Sequence, residues 1–113
     1  MIKIYHNNRC GKSRAGLKLL EDSGKEYRVI NYLETVPTFE ELKKIIDMLG
    51  IRPIELVRKN ETIWKENFKN KTLSDEEIID ILLNNPKLIE RPIVINENRG
   101  VVGRPTEKIL EIL

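Results

Sequence analysis

The chain has a single cysteine, Cys10, no apolar run long enough to span a bilayer, no block of like charge and no internal repeat. One thiol cannot close an internal disulfide or supply a four-thiolate metal site, and it persists best in a reducing compartment. The opening residues, Met1-Ile2-Lys3-Ile4-Tyr5, alternate instead of presenting a charged segment followed by a long apolar one. The expectation is a cytoplasmic, unprocessed protein with no membrane attachment. Twenty basic residues against eighteen acidic ones leave a formal charge of +2, with the signs interspersed. That balance gives nucleic-acid binding little support. A length of 113 residues with 40% apolar content suits one core, so residues 1–113 are expected to form a single domain.

What is present reads as a mixed α/β chain. Ile2 and Ile4 share one face of a strand, and His6-Asn7-Asn8-Arg9-Cys10-Gly11 has the polar, glycine-containing character of a loop. From Ser13 to Ser23, the pairs Ala15 with Leu19 and Leu17 with Leu20 have helical spacing, and Gly24 offers a left-handed stop. Tyr27-Arg28-Val29-Ile30 follows as a second strand, at the separation of a parallel crossover unit. Thr38 with Glu41 forms a capping box before Leu42, Ile45, Ile46 and Leu49, and Gly50 ends that helix. Pro53 suits a first helical turn through Val57, and Ser74 with Glu77 caps a helix carrying Ile78, Ile81 and Leu82. Beyond Pro86, Ile93-Val94-Ile95 and Val101-Val102 flank the polar turn Asn96–Gly100 as a hairpin, and a closing helix presents Ile109, Leu110 and Leu113. The order is βαβ, a helical insertion over about residues 37–90, then ββα. That order matches a thioredoxin-like mixed sheet.

The chemistry centres on Cys10. A thiol attacks as thiolate, and a free cysteine with a pKa of about 8.5 is only a few per cent ionised at neutral pH. The N–H groups and dipole at the start of the following helix favour the charged form, and Gly11 leaves that backbone open. Arg9 and Lys12 flank the cysteine, Arg14 lies one turn on, and His6 stands four residues earlier. Donors that converge on a helix N-terminus beside a nucleophile suit a tetrahedral oxyanion as well as a thiolate. A lone cysteine is more commonly a small buried hydrophobe, but the polar, basic loop around Cys10 argues against that. His6 alone would more often be a structural residue bonding a backbone group. Arg58, Arg91 before Pro92, and Arg104 before Pro105 would ordinarily be solvated charges. An arginine can nonetheless fork two donors onto an oxyanion, and a residue preceding proline is restrained.

The run His6-Asn7-Asn8-Arg9-Cys10-Gly11-Lys12-Ser13-Arg14 resembles the active-site signature of the glutaredoxin-linked arsenate reductases. The resemblance continues through Tyr32-Leu33, Pro37-Thr38, Arg58-Lys59, Glu90–Val94, Gly103-Arg104-Pro105 and Glu107–Leu113, and so covers essentially the whole chain. It implies a thioredoxin-like fold, Cys10 as nucleophile, the trio Arg58, Arg91 and Arg104, and a cis Arg91-Pro92 bond. It also implies that His6 helps keep Cys10 ionised and that Gly11, Lys12, Ser13 and Arg14 form an anion-binding loop. The partners it implies are arsenate, glutathione as co-substrate and glutaredoxin, with no bound cofactor or metal. Two positions depart from the family's pattern: Asn8, where many relatives have proline, and Lys12, which varies. Two other readings use the same fold. One is an Spx-type redox regulator that binds RNA polymerase; such proteins commonly carry C-x-x-C, whereas Ser13 holds the second position here. The other is a glutathione-dependent thiol reductase with a different acceptor, which would need the three arginines less.

Overall fold

The computed structural model describes residues 1–113. One four-stranded sheet has the order β2-β1-β3-β4. Strand β1 (Ile2–His6) runs parallel to β2 (Tyr27–Asn31), with helix α1 (Gly11–Ser23) as the crossover between them. Strand β3 (Ile93–Asn96) is antiparallel to β1, and β4 (Arg99–Val102) is antiparallel to β3. The thioredoxin-like order expected from the sequence is the order found. Ile2, Ile4 and His6 share the buried face of β1, so the alternation that makes the strand also carries the histidine inward.

The sheet is covered on both sides, which explains why Ile93, Val94 and Ile95 are all buried. On one face Ile2, Ile4 and Val94 pack with Leu20 of α1 and with Ile109 and Ile112. On the other, Ile93 and Ile95 join Tyr32, Leu42, Trp64, Leu82 and their neighbours from the insertion. Helices α2 (Phe39–Leu49) and α4 (Asp75–Asn84) both begin with the expected capping box, at Thr38/Glu41 and Ser74/Glu77. Gly50 closes α2 in the left-handed region, as Gly24 closes α1.

Several expectations change in detail. Helix α1 does begin at the cysteine, with Cys10 as its N-cap and Gly11 its first residue, but it buries Ser13, Gly16 and Leu20 while Ala15 is exposed. The reason is close packing: a Cβ at Gly16 would lie 2.9 Å from Pro92 Cγ and 3.2 Å from Ile109 Cδ1. In α4 it is Ile79 that is buried beside Ile78 and Leu82, with Ile81 only partly covered. Pro53–Leu56 is a 3₁₀ turn, and helix α3 (Thr62–Asn67), which has no side-chain cap, is an element the pattern did not announce. The closing segment Thr106–Ile112 is also 3₁₀. Its three-residue period places Ile109 and Ile112 inward and leaves Leu110 59% exposed.

A bridge outside the sheet matters for the site. Val57 pairs with Ile89, and the Arg58 N–H donates to Leu88 O (2.7 Å) while the Glu90 N–H donates to Leu56 O (2.8 Å). Arg58 and Arg91 are thereby tied to neighbouring stretches of backbone.

The contact at Gly16 yields a test. A Gly16→Ala change gains up to about 1 kcal/mol of helix propensity, but overpacking against a proline ring costs about 1–3 kcal/mol. Urea unfolding is expected to show a net loss of about 1–2 kcal/mol; a variant as stable as the parent would refute the packing argument.

Candidate active site

Strands β1 and β2 are parallel, so their C-terminal ends lie side by side, with His6 opposite Asn31. The loop after β1 turns at once: the Cys10 N–H donates to Asn7 O (3.0 Å), and Asn7 Oδ1 accepts the Arg9 N–H (3.0 Å). Cys10 thus arrives at the N-cap of α1 in an extended conformation and is 9% exposed. No side-chain cap hydrogen bond closes the helix start. Burial pushes the Cys10 thiol up, but the N–H of Ser13, the guanidinium of Arg91 and the N–H of Lys12 outweigh it, and the net shift is downward. The first turn and one arginine do what a side-chain oxygen does at an ordinary N-cap, with sulfur as the group that receives the field.

Ser13 is fully buried, and its hydroxyl joins loop to strand. It accepts the Asn7 N–H at 2.9 Å and lies 2.7 Å from His6 Nδ1. Burial lowers the pKa of His6, the contact with Ser13 opposes that shift, and the charge on Arg14 adds to it. The imidazole is therefore neutral at neutral pH, with Nδ1 assigned as acceptor of the hydroxyl proton. His6 reaches Ser13 and not the sulfur, so its influence on Cys10 passes through the placement of the first turn of α1. Gly11, Lys12 and Arg14 are exposed, and Arg14 Nη1 donates back to Asn8 O at 3.3 Å.

The three arginines occupy different environments. Arg91 is only 8% exposed, and its Nε and Nη1 have no hydrogen-bond partner. Arg104 donates from Nε to Arg91 O (2.7 Å) and from Nη2 to Cys10 Sγ (3.7 Å). Both Arg91-Pro92 and Arg104-Pro105 are cis; the first was expected and the second was not. Arg58 is held by carboxylates, pairing with Glu61 and lying 3.5 Å from Glu90 Oε1 through Nε. Arg91 and Arg104 therefore meet at the sulfur, whereas Arg58 is engaged elsewhere and its charge is felt at Tyr32.

Sequence reasoning assigned no role to Tyr32. The residue follows the last position of β2, is 1% exposed, and its hydroxyl has no partner. Together with the two Arg91 nitrogens it completes the set of buried side-chain polar atoms left unpaired in the chain. Buried donors are rarely left unpaired, and each costs about 1–3 kcal/mol. Unpaired donors beside a cysteine with a lowered pKa form a buried, donor-rich cluster whose charge suits an anion. No group of three or more His, Cys, Asp and Glu side chains lies together as a metal site would require, and no helix is long and apolar enough to cross a membrane.

The fold and this cluster define a thioredoxin-like protein built around an N-capping cysteine with guanidinium groups beside it. The chain belongs to the ArsC family, whose model matches residues 5–112. It is 44% identical to the uncharacterized protein YfgD of Escherichia coli (strain K12), over 99% of this chain and 96% of that one. It is 45% identical to an arsenate reductase of Yersinia enterocolitica, over 99% of this chain and 80% of that one. Among solved structures, an arsenate reductase from Vibrio cholerae superposes with a TM-score of 0.94 at 45% identity, covering 99% and 97% of the two chains.

Two measurements test the electrostatics. Alkylation of Cys10 should titrate below the free-thiol value of about 8.5, and Arg91→Gln should move the midpoint upward; an unchanged midpoint in the variant would remove Arg91 from the account. His6 has a folded pKa below its unfolded one, so the unfolded chain binds more protons as the pH falls through about 6.5. Its contribution to stability is complete above that value and is lost below it. Between about pH 7 and pH 5, wild-type stability should fall more steeply than that of His6→Gln; parallel profiles would contradict the neutral assignment.

Proposed function

We propose that this chain is an arsenate reductase, with residues 1–113 acting as one domain and Cys10 as its nucleophile. The observation that carries the reading is the pair of buried, unpartnered Arg91 donors beside a cysteine whose pKa is held down. A tetrahedral oxyanion satisfies those donors, and the same field that keeps sulfur ionised neutralises the incoming substrate. Family membership and the arsenate reductases among its relatives support the choice of arsenate.

In the first step the Cys10 thiolate forms a bond to arsenic while an arsenic–oxygen bond breaks, and the departing oxygen leaves as water after taking up a proton. Arsenic remains As(V). Glutathione then condenses with the adduct and displaces a second water. Attack by an outside thiol on the glutathione sulfur forms a mixed disulfide and returns an electron pair to arsenic, which becomes As(III). Hydrolysis of the remaining sulfur–arsenic bond releases arsenite and restores Cys10. Because the chain has one cysteine, the electron pair comes from outside thiols, with glutaredoxin as the proposed partner. A reducing cytoplasmic setting accords with that requirement. In this scheme Arg91 and Arg104 bind and orient the oxyanion, and Arg58 adds positive potential from its place beside Glu61 and Glu90. Gly11, Lys12, Ser13 and Arg14 provide the first turn and its N–H groups, and His6 holds Ser13.

A thiol reductase with another acceptor would leave the Arg91 donors without a purpose. A regulator that switches through a cysteine pair would need a second thiol where this chain has Ser13, buried and bonded to His6. Turnover is measured as arsenate-dependent oxidation of glutathione, coupled through glutaredoxin. Cys10→Ser should abolish it, and Arg91→Lys, which keeps the charge but loses the fork, should lower kcat/KM by about a hundredfold. Full activity in Cys10→Ser, or none in the wild type, would overturn the proposal.

A further inference from the structure

The Tyr32 hydroxyl is the third unpaired buried donor, and the scheme above leaves it unused. Its ring belongs to the core on the insertion side of the sheet, among residues such as Leu42 and Trp64. Arg91, the Asn7 side chain, Cys10 and Arg58 are the groups whose charges and dipoles its hydroxyl feels. Three of those four are Arg91, the cysteine and a residue of its loop; the Asn7 side chain is the neighbour suited to bond the hydroxyl, yet it stands outside hydrogen-bond geometry and the hydroxyl is left without a partner.

A purely structural role explains this poorly. A phenylalanine would fill the same volume without burying a polar atom, so in the free protein the hydroxyl is a cost. Every unpaired buried polar side-chain atom of the chain belongs to Arg91 or Tyr32, and a ligand that satisfies one residue lies within the surroundings of the other. Burial raises the pKa of the phenol, Arg91, Asn7 and Arg58 pull it back, and the Cys10 charge adds to the rise. The net result is a protonated, neutral O–H at physiological pH, able to donate.

We infer that Tyr32 touches the substrate: its hydroxyl donates a hydrogen bond to an oxygen of the same tetrahedral oxyanion that Arg91 holds. The inference rests on the oxyanion reading and assigns that site a neutral donor beside its cationic ones. A guanidinium can only donate, whereas a phenol donates one proton and keeps lone pairs, so Tyr32 can also accept from a protonated oxygen of the anion. It transfers no electrons, and its proton stays on the phenol.

The test is Tyr32→Phe, titrated with arsenate in the absence of thiols and followed by calorimetry and thermal unfolding. Arsenate affinity should fall about ten- to a hundredfold, the scale of a hydrogen bond to a charged group. The Tm of the free variant should equal or exceed that of the wild type, and the arsenate-induced rise in Tm should shrink. The alkylation profile of Cys10 should not move. Equal arsenate affinity in the two proteins would overturn the role of Tyr32 and leave the oxyanion reading standing. Weaker binding accompanied by a lower free-protein Tm and a displaced alkylation profile would mark the hydroxyl as structural and also overturn it. Absence of any arsenate binding in the wild type would overturn the oxyanion reading and this inference together.

Discussion

The arrangement around Cys10 depends on one packing contact, the seat of Pro92 between two glycines. Gly16 of α1 and Gly103 after β4 both face the proline ring, and a Cβ at either would come within 3.1 Å of it. The Gly103 N–H also donates to Pro92 O at 2.8 Å. Ile109 closes the cluster, its Cδ1 lying near both glycine positions. Four segments distant in sequence therefore share one small volume: the helix that starts at the cysteine, the entry to β3, the exit of β4 and the closing 3₁₀ turn. Arg91 and Arg104 are the residues next to Pro92 and Gly103, so this packing sets where their guanidinium groups stand relative to the helix N-terminus. Interiors pack densely enough that a methyl group matters there.

That rigidity is what allows the electrostatics to be unfavourable in the free protein. Arg91 is a buried cation with two idle nitrogens, and a flexible side chain in that state would swing toward water or toward a carboxylate. Arg58 shows the alternative, since it is paired with Glu61 and Glu90. Arg104 spends its Nε on the Arg91 carbonyl, which fixes both residues and leaves the Arg91 side chain free of that task. The outcome is a set of preorganised donors that, in the proposed reaction, gain their partners from the anion, the condition under which electrostatic stabilisation is largest. His6 serves the same end without charge, because a neutral ring bonded to Ser13 locks the first turn of α1 and adds no competing cation.

Local signals explain why much of this was legible in sequence. Ile2 and Ile4 marked a strand, although His6, read as part of the loop, proves to be its last residue and points inward, and the two capping boxes announced α2 and α4 through hydrogen bonds made within four residues. The basic character of the loop pointed to Cys10. Features resting on distant contacts were not legible. Helix α3 has neither cap nor apolar period and is held by the burial of Trp64. The face of α1 was misjudged because Gly16, without a side chain to count as apolar, is the residue that packs. Nothing in the spacing of Arg58, Glu61 and Glu90 distinguishes an arginine engaged by carboxylates from one left free. Tyr32 carried no local signal of a role; only the tertiary fold buries its ring in the core and leaves its hydroxyl without a partner.

Ser13 connects the geometry to the proposed course of the reaction. It occupies the position where a two-cysteine site would carry a second thiol, and it has no accessible surface at all. Its hydroxyl is committed to Asn7 and His6, so a residue there shapes the loop and is shielded from any incoming reagent. An outside thiol must come to Cys10 itself. Arg104 stands against the sulfur, and Ser13 and His6 are both buried. Gly11 and Lys12 are exposed, and a Cβ at Gly11 would meet nothing nearer than Arg14 Nη2 at 3.8 Å. The start of α1 is therefore uncrowded beside the cysteine, and its glycine leaves room for a second sulfur to approach. In the proposed reaction, the helix terminus that lowers the pKa of Cys10 also keeps its first residue small enough for a thiol partner to come alongside.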